Sequence, residues 1–313
     1  MQRFIAHALL LTIGLSPFAL AEEYPAIEAA MKKAVTNVTI DSIEPSPVEG
    51  VYQVIANGDV FYVEKSGQYL FYGTLVDTLK DKAEWDLSGQ IRQEARLMLL
   101  NDVPLDELII YAPKEKKASV TVFTDPDCPY CQRLHHEIPK LQEMGIEVRY
   151  VAFPRAGPNT KNFEKMVSIW CADDRNMAMT KAKEREAVET KTCDHPVRRH
   201  FDLALRIGVK GTPTLFFENG DLSFKDLLNL EKKFLYITET IGHGGNIITG
   251  DYSVGASGFM VEDGELTYPV SEITIAGNFK EMFKNITLAN DLEMKYSTNA
   301  PTLLINQMTV AGK

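Results

Sequence analysis

Beyond residue 21 this chain has no apolar run long enough to cross a bilayer, and nowhere does it contain a HExxxH pattern or a second CxxC pair. The first absence leaves no membrane span in the body of the chain. The other two remove the common signatures of zinc hydrolases and four-cysteine zinc sites, so no metal and no other cofactor is expected. Positive charge is also short: 33 Lys and Arg against 43 Asp and Glu give a formal charge of −10. That balance argues against nucleic acid as a partner, and the basic stretches at 114–117 and 198–199 read as solvated faces or loops.

Only four cysteines are present, and two of them form Cys128-Pro129-Tyr130-Cys131. An apolar run (Val120, Val122, Phe123) precedes the motif and helical spacing (Leu134, Ile138, Leu141) follows it, which puts both thiols at a strand-to-helix turn. With Cys128 as N-cap and Pro129 as first helical residue, free backbone donors point at the Cys128 sulfur and favour its thiolate. Such settings lower a cysteine pKa from about 8.5 to roughly 3.5–7.5. Asp125 and Asp127 oppose the shift, so an intermediate acidity is expected. Cys131, one turn on and more buried, would be the resolving thiol. Half of a zinc site is the alternative, but Cys171 and Cys193 do not supply a second CxxC. Tyr130, between the thiols, should be partly exposed and able to touch bound polypeptide. His135 and His136 read as surface residues, a role in tuning the thiolate being the less expected one.

Residues 1–21 read as an export signal: Arg3 is the basic start, Phe4 to Leu20 is mostly apolar, and Ala19-Leu20-Ala21 is a small-residue cleavage site. A retained anchor is the alternative, with Ser16-Pro17 interrupting the run. An exported chain would work in an oxidising space, the periplasm in a Gram-negative host, where an even cysteine count suggests a second bridge, Cys171–Cys193. Such a bridge would contribute roughly 3 kcal/mol through loop closure; two free thiols are the other possibility.

An amphipathic helix is expected over 24–35, then strands at 51–56 and 60–63 around the hairpin signal Asn57-Gly58, and a further strand at 69–76. Helical spacing returns over 86–100. After it come strands at 108–111, 120–123 and 148–153, two helical stretches, and a strand at 214–217, the alternation of a layered α/β sheet. Thr212-Pro213 stands at the start of that last strand, where a cis bond is favoured over a trans loop proline. Asn219-Gly220 suggests a hairpin into 222–224, closed by a helix over 225–234.

"VFTDPDCPYC", "GIEVRYVAFPR", "IWCADD" and "GVKGTPTLFFENG" stand in the order found in the periplasmic disulfide isomerases of the DsbC/DsbG type, which the chain resembles over about 22–220. The resemblance implies an α+β protein: a cystatin-like dimerisation domain (22–82), a linker helix (83–104) and a thioredoxin-like α/β catalytic domain (105–234). It further implies a V-shaped homodimer that holds misfolded disulfide-containing exported proteins and is kept reduced by the membrane reductase DsbD. Carried over by motif, Cys128 is the nucleophile, Cys131 its partner, Cys171–Cys193 the structural bridge, and Pro129, Tyr130, Thr212 and Pro213 the substrate-facing residues. Pro129 departs from the glycine usual there, so the reduction potential does not transfer.

From about Leu222 the text changes. "LYITETIGHGGNIITGDYSVGASGFMVEDGELTYPVSEITIAGNFKEMF" and "MTVAGK" resemble the C-terminal end of the TldD/PmbA family, so 235–313 is expected as a β-rich fragment of it. Its one histidine, His243, cannot build the missing metal site, so peptidase activity is the least expected reading. Strands such as 272–276 would normally pair in a larger sheet, and an isolated copy would leave edges open. The functional expectation is a thiol:disulfide isomerase/reductase. A net oxidase on the same fold and a chaperone-like client-binding dimer are the alternatives.

Overall fold

The computed structural model describes residues 24–80, 85–242, 244–246, 249–284 and 286–312; the export signal with its cleavage site, and His243, lie outside them. The chain divides into two compact units at the Gly73–Thr74 bond.

In the first unit, α1 (Pro25–Ala34) starts on a proline, where a missing N–H costs no hydrogen bond. Glu28 in its first turn and Lys32 and Lys33 in its last match the helix dipole. Ile27 and Met31, one turn apart, pack on Val54, Ala56 and Val63 of an antiparallel meander. Its strands run β1 (Ile40–Pro45), β2 (Val51–Ala56), β3 (Asp59–Glu64) and β4 (Leu70–Tyr72), in that spatial order. Asn57 and Gly58 both have positive φ, 53° and 74°, as the tight hairpin between β2 and β3 requires. β4 is shorter than the expected 69–76, because β3 offers it partners only from Phe61 to Val63.

The second unit opens with α2 (Leu87–Asn101), capped by Asp86, whose carboxylate accepts the Gly89 N–H at 2.8 Å. The layered sheet and its helices follow: β5 (Ile109–Tyr111), β6 (Ala118–Thr124), α3 (Pro129–His136), α4 (Ile138–Glu143), β7 (Ile146–Ala152), α5 (Lys161–Trp170), α6 (Arg175–Lys183), α7 (Val197–Arg206) and β8 (Thr214–Phe217). β6 and β7 are parallel, joined by the α3–α4 crossover, while β5 runs antiparallel to β7 and β8 antiparallel to β6. One face of the sheet packs Val120, Val122, Val148 and Tyr150 against Met166, Ile169 and Trp170; the other buries Phe123, Val151 and Phe216 with Ala204 and Ile207. Trp170 is in the core as a donor, its Nε1–H reaching the Glu107 carbonyl at 2.7 Å. Three helices rather than two lie between β7 and β8. Thr160 caps α5, and Asp174, only three residues past the Cys171 C-cap, starts α6 by accepting the Met177 N–H at 2.8 Å.

Past β8 the expected hairpin is missing and the expected helix is cut short. No hairpin forms at Asn219-Gly220: Ser223 and Asp226 make a capping box that starts α8 (Phe224–Leu228), which covers only the first part of the expected 225–234, and Lys233 and Phe234 already belong to a strand. Gly220 serves close approach instead of a turn, since a Cβ there would lie 1.8 Å from the Leu288 carbonyl oxygen. The remaining elements are β9 (Lys233–Ile241), β10 (Asp251–Glu262), β11 (Glu265–Asn278), α9 (Phe279–Met282), β12 (Ile286–Leu288), β13 (Thr298–Asn299), β14 (Leu303–Ile305) and β15 (Thr309–Ala311). β11, which contains the 272–276 run, is paired on both sides in a sheet of order β15-β11-β10-β9. β12 and β14 form a second small antiparallel pair.

β13 does not join either of those. It adds in parallel to β8 and so becomes the outer strand of the α/β sheet. Asn299, 2 % exposed, fastens it: Oδ1 accepts the N–H groups of Lys295 and Tyr296 at 2.8 Å each, and Nδ2 donates to the carbonyls of Leu215 at 3.1 Å and Tyr296 at 2.8 Å. Asn299→Ala removes four hydrogen bonds made by a buried side chain, and a loss of about 2–4 kcal/mol in denaturant unfolding is expected; a loss under about 0.5 kcal/mol, the range of an ordinary surface substitution, would contradict this account.

Candidate thiol site

The site is assembled where β6 ends and α3 begins. Cys128 has extended backbone angles (φ −78°, ψ 120°) and is the N-cap, with Pro129 as first helical residue. Its own N–H is held by the Asp125 carbonyl at 3.2 Å, which fixes the turn. Opposite stands the Thr212–Pro213 loop with its cis bond. The Cys128 thiol donates to the Thr212 carbonyl at 3.2 Å.

Both motif cysteines are free thiols, and both are covered, at 0 % and 1 % exposure. Surface exposure does not separate them, because the 212–213 loop lies against Cys128, but Cys131 is packed more deeply and the two differ in acidity. Burial pushes the Cys128 thiol up, but the Thr212 side chain, the thiol and N–H of Cys131 and the N–H of Tyr130 outweigh it and bring Cys128 below the ordinary thiol range. The Thr212 hydroxyl is buried without a hydrogen-bond partner while Cys128 is a neutral thiol. It can therefore turn to a sulfur that has lost its proton. For Cys131 burial dominates and raises the thiol, although the Lys183 charge pulls it down.

Asp125 and Asp127 do not set the balance as expected, because each is countered by a cation. Asp125, 2 % exposed, accepts the Arg155 N–H and Nε–H at 3.0 Å each and the Asn162 amide at 3.0 Å. Asp127 meets Lys165 at 2.5 Å and Asn162 at 2.8 Å. Burial raises the Asp127 carboxyl, yet those contacts win and hold it below its usual value. Their fields at the sulfur are thereby largely cancelled.

Tyr130 is 66 % exposed, with the Arg133 guanidinium 5.5 Å from its ring centre. His136 is exposed, but His135 is not the surface residue expected. Its ring lies between the Tyr150 hydroxyl (3.1 Å) and the Thr180 hydroxyl (3.0 Å). Since Thr180 donates to the Asn176 carbonyl, it accepts from His135 Nε2–H, leaving Nδ1 to accept from Tyr150. Burial, helped by the charges of Lys183 and His136, lowers the imidazole to about 4. A neutral ring fixed at both nitrogens is a packing element. Cys171 and Cys193 are bonded to each other and tie the loop before α7 to the end of α5.

Lys183 went unread in the sequence. It is 1 % exposed, and its ammonium donates to Thr124 Oγ1 and to the Asp125 carbonyl at 2.7 Å each, the same carbonyl that holds the Cys128 N–H. Burial lowers its pKa to about 8 against the opposing pull of Cys131 and Asp125. The signal was present: Lys183 lies one turn beyond the buried Met179, on the apolar stripe of α6 with Ala178 and Ala182. Among the described residues no three His, Cys, Asp or Glu side chains are grouped so as to hold a metal ion.

Known proteins divide along the same lines as the sequence. Residues 18–88 match the disulfide bond isomerase N-terminal domain, 105–227 a thioredoxin-like domain, and 188–312 the PmbA/TldA metallopeptidase C-terminal domain. The thiol:disulfide interchange protein DsbC of Dickeya dadantii is 34% identical over 216 residues, covering 67% of this chain and 85% of that protein. DsbC of Escherichia coli K12 is 33% identical over 201 residues, covering 62% and 81%. The C-terminal part is 50% identical over 93 residues to the metalloprotease PmbA of Escherichia coli O157:H7, covering 29% of this chain and only 21% of that protein. The chain belongs to the DsbC family of thiol:disulfide interchange proteins, and it continues into a segment similar to the end of PmbA.

Proposed function

We propose that this chain is a periplasmic disulfide isomerase and reductase in which Cys128 attacks and Cys131 resolves. The observation that carries the assignment is the geometry: Cys128 caps the N-terminus of α3 with its thiol on the Thr212 carbonyl of the cis-proline loop, and Cys131 lies one turn inside. The lowered pKa of Cys128 and the raised one of Cys131 agree with it. At neutral pH the Cys128 thiolate attacks a wrong disulfide in a client. A Cys128–client bond forms, the client disulfide breaks, and one client sulfur leaves as thiolate. A second client thiol then attacks the mixed disulfide, which frees Cys128 and leaves the client with a new pairing and no net redox change. Where none does, the Cys131 thiolate attacks the Cys128 sulfur, forming Cys128–Cys131 and releasing a reduced client sulfur. The two electrons lost by the pair are restored from outside, a role that suits a membrane reductase such as DsbD. A low pKa serves Cys128 twice, as nucleophile and as the better leaving group.

Lys183 acts on the second step. Its ammonium is held next to the buried Cys131 through Thr124 and the Asp125 carbonyl, and it stabilises the Cys131 thiolate when that sulfur must attack. The N-terminal helix-and-meander unit supplies the contact of a homodimer, and misfolded disulfide-containing exported proteins are the clients.

In refolding of a scrambled-disulfide model protein, Cys128→Ser should lower the isomerisation rate at least about a hundredfold, since no other free thiol of the motif is acidified. Cys131→Ser should keep much of that rate but accumulate mixed disulfides with client. Retained activity in the first variant, or equal loss in both, would overturn the assignment. Lys183→Met raises the Cys131 pKa further, and about a threefold or greater slowing of mixed-disulfide release at pH 7 is expected, one pKa unit being about tenfold in thiolate. An unchanged release rate, measured by stopped-flow with a labelled peptide on Cys128, would remove Lys183 from the mechanism.

A further inference from the structure

Beside the thiol site lies a cleft of about 700 Å³, within the size range of small-ligand sites, about 300–1,000 Å³. One wall is the catalytic unit's own: Tyr130, Lys210 and Thr212, with Arg96 from α2. Residues 294–298 of the PmbA-like segment form the other, with Lys295 and Tyr296 at its surface.

That second wall is built into the fold. The Leu215 N–H donates to the Ser297 carbonyl at 2.8 Å, and Asn299 holds the backbone of Lys295 and Tyr296. The Met294 N–H is taken by Gln93 Oε1 at 2.9 Å, while the Gln93 amide donates to the Leu292 carbonyl. Leu292 is itself buried against Phe123 and Phe216 and bonded through its N–H to Asn219 Oδ1 at 3.0 Å. The loop is thus anchored to α2, to β8 and to Asn219 just past it.

We propose that this borrowed wall makes the cleft a client-binding groove that prefers extended segments with acidic residues beside the reacting cysteine. The proposal rests on Cys128 being the attacking sulfur. Position commits the occupant: Thr212, whose carbonyl takes the Cys128 thiol, lines the cleft, so a client joined to Cys128 runs along it. Charge commits its chemistry. Three cations, Arg96, Lys210 and Lys295, line the groove and no carboxylate does; Glu293, paired with Lys295, stands outside the lining. On a chain of formal charge −10, that makes the groove a basic island in an acidic protein. Tyr130 and Tyr296, 66% and 77% exposed, present aromatic surface on the two walls.

The test compares two disulfide-linked peptides, one with glutamates and one with lysines flanking the cysteine, on the full-length reduced protein. Hydroxyethyl disulfide serves as a small neutral control. The glutamate peptide should react about fivefold or more faster at low salt, with the margin shrinking toward unity at about 1 M salt as the charges are screened. Lys295→Glu should remove most of that preference, and Tyr296→Ala should slow both peptides while Tyr296→Phe does not. All three variants should exchange with hydroxyethyl disulfide at the wild-type rate. Equal rates for the two peptides on the wild type, or a preference untouched by Lys295→Glu, would overturn the groove proposal and leave the role of Cys128 standing. Failure of the wild type to react with hydroxyethyl disulfide would overturn both.

Discussion

The contact between the Cys128 sulfur and the Thr212 carbonyl organises the catalytic unit. It joins the start of α3 to a loop more than eighty positions downstream, and it holds only because β6 and β8 are paired with Val120 opposite Phe217 and Phe123 opposite Thr214. The sheet sets the distance, the helix N-terminus supplies the donors, and the covered site keeps water from screening them. Burial alone would raise both thiols. What separates them is that the Thr212 side chain and the donors of Cys131 and Tyr130 outweigh burial at Cys128, whereas at Cys131 burial outweighs the Lys183 charge and the Asp125 backbone donor.

The charges around the site follow from the same burial. A carboxylate as covered as Asp125 is tolerable only with partners, and Arg155 and Asn162 provide them. Lys183, buried to the same degree, is tolerated because Thr124 and the Asp125 carbonyl accept two of its three hydrogens. The result is a site whose fixed charges largely cancel, so the local hydrogen bonds decide which sulfur ionises. Since the folded pKa of Cys128 is lowered, this group contributes stability to the reduced protein above the ordinary thiol pKa, and loses it as pH falls through the folded value.

Much of this was legible in the residues. Asn57-Gly58 demands positive φ at two positions, Pro129 fits only a first helical turn, and a proline at the start of β8 cannot join the ladder. Each is a backbone constraint carried by a single residue type. Lys183 was harder, because a lysine in a polar helix looks solvated until its phase against Met179 is counted. The end of the catalytic unit was not legible by local rules at all. Asn219-Gly220 is a strong hairpin signal, but it is overridden by partners from residues 288–290, and the outer strand of the sheet comes from Thr298 and Asn299. Two elements so far apart in sequence meet only through tertiary hydrogen bonds, of which Asn299 makes four.

The joining of a DsbC-like chain to the end of a PmbA-like one therefore yields a unit in which the later segment completes the earlier sheet. The central claim is that the two thiols differ in acidity because Cys128 sits at the helix start against Thr212 while Cys131 is packed inside. Thiolate absorbance at 240 nm, followed across pH in the reduced full-length protein and in Cys128→Ser, reads this directly. The account predicts one transition below the ordinary thiol range that vanishes in Cys128→Ser, and a second above that range that remains. A single transition near pH 8.5 for both sulfurs, or a low transition that survives the substitution, would contradict it.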